Sequence, residues 1–186
     1  METSLNMAAT ALEQFMAYEF KNCLTELSKI KSKNPQEKDI FRLLNNFAVT
    51  EYVSEKNRKV QDFLNKIEDI IQENKPKAVP TSNTKQSKGS RKVSGPTEEE
   101  ISDKNSNDAE DDMILKYNHA VALYHAGKKL RSLEAVNALF LNQEVVFDYV
   151  VIKISCLCLE LALMAKDFSK VQKILEFFDK NTTSAS

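Results

Sequence analysis

Helix-breaking residues are confined to one stretch of this chain, and that confinement limits the possible folds more than any other feature. Three of the four prolines and two of the three glycines lie in residues 75–112, which contain no aromatic residue. The blocks on either side carry apolar residues at three- and four-residue spacing and no long alternation of period two. This pattern is typical of amphipathic helices and not of strands. The sequence therefore predicts an all-α protein.

The composition of residues 75–112 also divides the chain into domains. This segment offers too little apolar surface to offset the entropy of ordering it, so we predict a disordered charged linker. Its basic residues come first and its acidic residues last. The predicted organisation is two helical hairpins in residues 1–74, the linker in 75–112, two further hairpins in 113–180 and a disordered tail in 181–186.

A repeated layout of helix, turn and helix supports this division. One stretch places Gly127 between two helical patterns, and a later stretch repeats the layout with Val171 in the place of Ser132, an offset of 39 residues. Two stretches in the amino-terminal block follow the same plan, so we predict four hairpins and about eight helices. Small residues stand where paired helices would have to approach closely. These residues are Ala11, Ala48 and Ala120.

The two histidines could suggest a chemical site, but their spacing argues against one. His119 and His125 are six residues apart, or about 240° around a helix, so their rings cannot share one ligand. The sequence contains no nucleophile elbow, zinc-binding helix, phosphate loop or dinucleotide motif. The three cysteines are interpreted as small buried hydrophobes rather than as a redox or metal pair. We predict no catalysis, no cofactor and no metal site.

Charge and hydropathy give no reason to expect a nucleic-acid or membrane partner. The 26 basic and 27 acidic residues leave a net charge of −1, so no overall field attracts an anionic surface. No apolar run approaches the roughly 20 residues needed to cross a bilayer. The first residues lack the basic and apolar regions of a secretory signal. We therefore expect an intracellular protein.

The hairpin plan resembles the tetratricopeptide repeat, whose unit is about 34 residues long. In that family the first helix of each hairpin lines a concave face that binds partners, and the resemblance implies six partner-binding residues here. They are Val49, Tyr52, Tyr117, Val121, Tyr124 and His125. This face is mainly apolar and aromatic, so it suits an apolar helical or extended segment. The alternative is that these residues pack inside the array.

Three short sequence segments, called words here, carry a closer resemblance. They are "LLNNFAVTEY", "MILKYNHAVALYH" and a pattern containing Phe15, Phe20 and Cys23. In order and content they are similar to the amino-terminal part of the tetratricopeptide subunit counted tenth in the Ccr-Not mRNA deadenylase complex. This resemblance implies a non-enzymatic scaffold subunit that binds the eleventh subunit and the large Not scaffold. It also implies roles in mRNA degradation, translational repression and RNA-mediated silencing, in the cytoplasm and also the nucleus.

Two other functions are consistent with the same residues. One is a generic tetratricopeptide adaptor that binds a helical or extended peptide outside RNA metabolism. The other is weak RNA binding by the basic half of the linker, from Lys75 to Lys92, although no aromatic residue there could stack on a base. We therefore expect no direct contact with nucleic acid.

Overall fold

The computed structural model describes residues 3–33, 35–74, 98–142 and 148–183, and within these ranges it contains helices and no strand. The predicted all-α class is confirmed, and so is the tetratricopeptide-like arrangement of helical hairpins. The described helices are α1 (Ser4–Met16), α2 (Phe20–Ser32), α3 (Glu37–Ser54), α4 (Val60–Glu73), α5 (Glu98–His125), α6 (Lys129–Leu141), α7 (Asp148–Met164) and α8 (Phe168–Thr183).

All four hairpin turns begin with the same backbone geometry, although the turn between α3 and α4 is two residues longer than the others. In each turn, the residue two positions after the first helix ends has a positive φ. In the third hairpin, the amide of Gly127 donates to the carbonyl of Tyr124 and the amide of Lys128 donates to that of Leu123, at 3.0 and 2.9 Å. This pair of bonds is the Schellman motif, and it recurs in the other three turns. The positive-φ residues at this position are Tyr18 (62°), Lys56 (52°), Gly127 (74°) and Lys166 (57°), and in the second turn Asn57 (60°) also has a positive φ.

The turn positions confirm the repeat found in the sequence. Gly127 and Lys166 occupy equivalent places and are 39 residues apart, which is the predicted offset. Within the third hairpin, Ala120 and Ser132 are both fully buried where α5 and α6 meet. The hydroxyl of Ser132 donates to the carbonyl of Ala120 at 2.7 Å. A larger side chain at either position would separate the two helices.

Successive hairpins share their apolar cores, including the pair that the predicted linker separates in sequence. Leu64 and Ile67 of α4 lie in one buried cluster with Ala122 and Leu123 of α5. A second cluster joins α5, α6, α7 and α8. The second hairpin therefore packs directly on the third. No helix among the described residues is long and apolar enough to span a membrane.

The structure differs from the sequence prediction at both ends of the carboxy-terminal block. Residues 98–112, predicted as part of a disordered linker, belong to α5, and α8 continues to Thr183 rather than ending at 180. The acidic stretch contains no glycine or proline after Pro96, and acidic residues favour the first turns of a helix because of the backbone dipole. Residues 75–97 and 184–186 lie outside the described residues.

Candidate protein-binding groove

An open groove separates the first helices of the first two hairpins. Its volume is 760 Å³, and α1 and α3 form its sides while α2 forms its floor. Most of the lining is apolar, and the charged residues in it are Lys33, Asp39 and Arg42. The apolar lining residues are Leu5, Ala8, Ala11, Leu12, Phe15, Cys23, Leu27, Ile30, Pro35, Leu43 and Val49.

Three apolar side chains of α1 are unusually exposed; Leu5 and Leu12 line the groove, and Met16 lies on the same side of the helix beyond the lining. Leu5, Leu12 and Met16 have 79%, 63% and 70% of their surface accessible. They are seven and four residues apart, so they form one stripe along α1. The buried residues of α1 are Met7 and Ala11, and Ala11 also lines the groove. Because α1 carries apolar residues both at these buried positions and along the stripe, its packing leaves the stripe uncovered.

Polar contacts at three levels hold α3 against α5, the next first helix in the stack. Arg42 forms a two-pronged ion pair with Asp111, from Nε to Oδ1 at 2.9 Å and from Nη2 to Oδ2 at 2.7 Å. Further along the two helices, the side-chain amide of Asn118 donates to Oδ1 of Asn45 at 3.0 Å. Beyond it, the hydroxyl of Tyr52 is hydrogen-bonded to His125 of α5. These bonds tie α3 to α5 at three positions along the two helices.

Of the six predicted partner-binding residues, Val49 and Tyr52 lie on α3. Val49 is half-buried and lines the groove. Tyr52 is only 6% exposed, and its ring stacks on Phe63 with a centroid distance of 4.4 Å. Its hydroxyl lies 2.6 Å from Nδ1 of His125, and burial raises the pKa of the phenol. Tyr52 is therefore a packing residue that links α3, α4 and α5.

The other four predicted residues lie on α5. Tyr117, Val121 and Tyr124 are half-buried against the core that α5 shares with α6, α7 and α8, whereas His125 is exposed. Burial raises the pKa of Tyr117. The hydroxyl of Tyr124 donates to Oε1 of Glu160 on α7 at 2.5 Å, and this bond raises the pKa of Tyr124. The Tyr124–Glu160 bond joins α5 to α7, the next first helix.

The structure thus separates the predicted site into two parts. Tyr124 and His125 have ring centroids 5.7 Å apart, and His125 also contacts Tyr52, so these three form one cluster. Val49 lies in the groove with the α1 stripe. The tetratricopeptide resemblance places Leu5, Leu12 and Met16 on the same inner face of the array as the six residues, and α1 is a helix with Glu13 as its only charged residue. Asp111 was omitted because its segment was predicted to be disordered.

The described residues contain no group of three or more histidine, cysteine and acidic side chains placed to hold a metal ion. Nε2 of His119 lies 3.4 Å from Oε1 of Glu68 on α4, whereas His125 contacts α3, so the two imidazoles point to different helices. The three cysteines are free thiols; Cys23 and Cys158 are buried and Cys156 is exposed. Burial raises the pKa of Cys158, which disfavours its reactive thiolate.

Comparison with known proteins adds little to this description. No family model and no curated protein matches the chain. The chain is similar to one solved crystal structure, which is described as a Podosopora anserina kinesin light chain with nearly identical TPR-like repeats. The alignment covers 100% of both chains. The TM-score is 0.42 and the identity is 10%. A similarity this distant supports no conclusion about function. The assignment of the fold is therefore based on the hairpins described above.

Proposed function

We propose that this chain is a non-enzymatic scaffold that binds other proteins through the groove between α1 and α3. The observation that carries the proposal is the exposed apolar stripe of Leu5, Leu12 and Met16 beside an open groove. Apolar side chains in a concave surface gain free energy when a partner removes them from water. An amphipathic helix or an extended segment of a partner can fill such a groove with its own apolar side chains.

We further propose that the assembly is the Ccr-Not deadenylase complex, with the eleventh subunit and the large Not scaffold as partners. The support is the sequence resemblance, together with the positions of the words that carry it. The word "LLNNFAVTEY" lies on α3 and "MILKYNHAVALYH" on α5, and the bonds Asn45–Asn118 and Tyr52–His125 join the two words. In this proposal the chain acts in mRNA degradation and translational repression, in the cytoplasm and also the nucleus.

Affinity purification with matched variants tests both parts of the proposal. A tagged full chain is expressed in cells of its own species, and the co-purified proteins are identified and quantified by mass spectrometry. In Leu12→Glu, a carboxylate replaces a side chain that is 63% exposed in the groove. The matched control is Leu130→Glu on α6, where the leucine is 72% exposed and lies outside the groove.

We expect the wild type and Leu130→Glu to recover deadenylase subunits equally. Leu12→Glu should reduce the recovery at least about tenfold, with an unchanged circular dichroism spectrum. Absence of deadenylase subunits from the wild-type sample would refute the Ccr-Not assignment. In that case, loss of another defined partner in Leu12→Glu alone would favour the generic tetratricopeptide adaptor. Equal recovery with Leu12→Glu and Leu130→Glu would refute binding through the groove.

A further inference from the structure

The turns of the second, third and fourth hairpins lie along one edge of the helix stack. The hydroxyl of Tyr52, in the last turn of α3, is hydrogen-bonded to His125, the last residue of α5, at 2.6 Å. The hydroxyl of Tyr124 donates at 2.5 Å to Glu160, which lies one turn before the end of α7. Helices α3, α5 and α7 therefore end side by side, and the turns that follow them are neighbours. With about 10 Å between packed helices, the three turns extend over about 20 Å.

These three turns are basic in a chain that has no net basic charge. Residues 55–60, 126–129 and 165–168 are the turns with the first residue of each following helix. They hold six basic and two acidic side chains, whereas the whole chain holds 26 basic and 27 acidic ones. The equivalent residues of the first hairpin, 17–20, hold one acidic residue and no basic one. We call the six basic residues the basic edge. They are Lys56, Arg58, Lys59, Lys128, Lys129 and Lys166.

Most of the basic edge has no acidic partner within the chain. Lys59 pairs with Glu55 at 3.2 Å. The other five side chains form no ion pair in the part of the chain that the structure describes. Lys128 is half-buried and the others are exposed. The edge therefore presents positive charge that the fold leaves uncompensated, unlike the charge of Arg42, which Asp111 neutralises.

Two of these lysines stand where folding favours other residues. Lys59 and Lys128 are the N-cap residues of α4 and α6, and neither side chain forms a cap hydrogen bond. Serine, threonine, aspartate and asparagine are preferred there because their side chains accept bonds from amides of the first turn. A positive charge is also unfavourable beside the positive end of the helix dipole. The two lysines therefore weaken the helices, which indicates that their charge serves a purpose other than folding.

We propose that the basic edge binds an extended acidic segment of a partner protein. In a polyproline-II conformation, every third residue lies on the same side of the chain, about 9 Å further along. This distance is close to the spacing of successive turns, so a segment with an acidic residue at every third position would present one carboxylate to each turn. Complementary charge would also orient the segment along the edge. None of the six basic residues lines the groove between α1 and α3, so the two surfaces are distinct.

Other polyanions fit this edge less well. Single-stranded RNA is held largely by aromatic side chains that stack on its bases. In the second and third hairpins, Tyr52 is buried and Tyr124 is half-buried with its hydroxyl bonded to Glu160. Two carboxylates, those of Glu55 and Asp167, lie among the basic side chains and would repel the uninterrupted charge of a phosphate backbone or an anionic bilayer. An acidic protein segment has neutral residues between its carboxylates and can avoid this repulsion.

Fluorescence anisotropy with a labelled synthetic peptide tests the proposal on the purified full chain. The probe has about twelve residues, with glutamate at every third position and proline or serine between. The control peptide has glutamine in place of each glutamate. The acidic peptide should bind saturably at low salt, and its affinity should fall at least about fivefold at an ionic strength of roughly 0.5 M. Absence of binding, or equal binding of the glutamine peptide, would overturn the proposal.

A double variant separates the loss of binding from a loss of folding. Lys59→Ser with Lys128→Ser introduces a preferred cap residue at both helices, so the urea midpoint should rise while the affinity for the acidic peptide falls at least about fivefold. The matched control, Lys116→Gln with Lys153→Gln, removes the same charge from α5 and α7 at least about 13 Å before these helices end. The control should bind like the wild type. Equal affinities of the two double variants would refute binding at the edge.

The same assay tests the class of partner. A uridine oligonucleotide with the same number of negative charges, and vesicles that contain phosphatidylserine, should each bind more weakly than the acidic peptide. Binding of either one that is as tight as, or tighter than, that of the peptide would overturn the assignment to an acidic protein segment.

Discussion

The shared geometry of the four turns allows a stability prediction with opposite signs at equivalent positions. Gly127 has a φ of 74°, and a Cβ built on it meets no atom within 4 Å. The cost of Gly127→Ala is therefore due to the backbone alone. The left-handed conformation costs an alanine roughly 1–2 kcal/mol, and the loss of flexibility in the unfolded chain returns about 0.5 kcal/mol. We expect a net destabilisation of about 1 kcal/mol.

Lys166 occupies the equivalent turn of the fourth hairpin with a φ of 57° and an exposed side chain. Lys166→Gly removes the same backbone penalty and should stabilise the protein by about 0.5 kcal/mol. The matched control is Ala165→Gly, one residue earlier in the same turn, where φ is not positive. A glycine there relieves no strain and adds entropy to the unfolded chain, so we expect it to destabilise the protein.

Urea unfolding followed by circular dichroism measures these changes. A shift of the midpoint with an unchanged slope reports a change in stability. The reasoning is refuted if Gly127→Ala is neutral, or if Lys166→Gly destabilises the protein as much as Ala165→Gly does. Either result would mean that the third and fourth turns are not energetically equivalent.

Three further predictions concern the contacts between hairpins. Ile67→Ala removes a fully buried side chain from the core between α4 and α5, and should lower the free energy of unfolding by about 2–5 kcal/mol in urea denaturation. The Arg42–Asp111 ion pair is partly exposed, with side-chain accessibilities of 53% and 26%. A double-mutant cycle with Arg42→Met and Asp111→Asn should therefore give a coupling free energy of about 1 kcal/mol or less. This coupling should decrease in high salt. Burial raises the pKa of Tyr117, so the folded state favours the neutral phenol. The resulting stabilisation is fully present below the ordinary pKa of about 10, and it is lost as the pH rises through the higher pKa of the folded state. Tyr117→Phe should therefore lose less stability than the wild type in an alkaline titration.

The sequence by itself determined the helices, their turns and the repeat. Apolar residues at helical spacing, with almost no glycine or proline outside 75–112, permit little other than helices. The turns at Tyr18, Gly127 and Lys166 were predictable because helix ends depend on neighbouring residues. Local composition misled where acidic residues favour both disorder and the first turns of a helix, as in residues 98–112.

Only the tertiary structure decided which predicted surface is open. Tyr52 is buried because it bonds His125 and stacks on Phe63, and Asn45 meets Asn118 across the same helix pair. Each of the two bonds joins residues 73 positions apart, a separation that no local pattern specifies. The same hydrogen bonds hold α3 against α5, whereas no side-chain hydrogen bond joins α1 to α3 among the described residues. The groove depends on that difference in helix packing, which is set by distant side chains rather than by the apolar character that α1, α3 and α5 share.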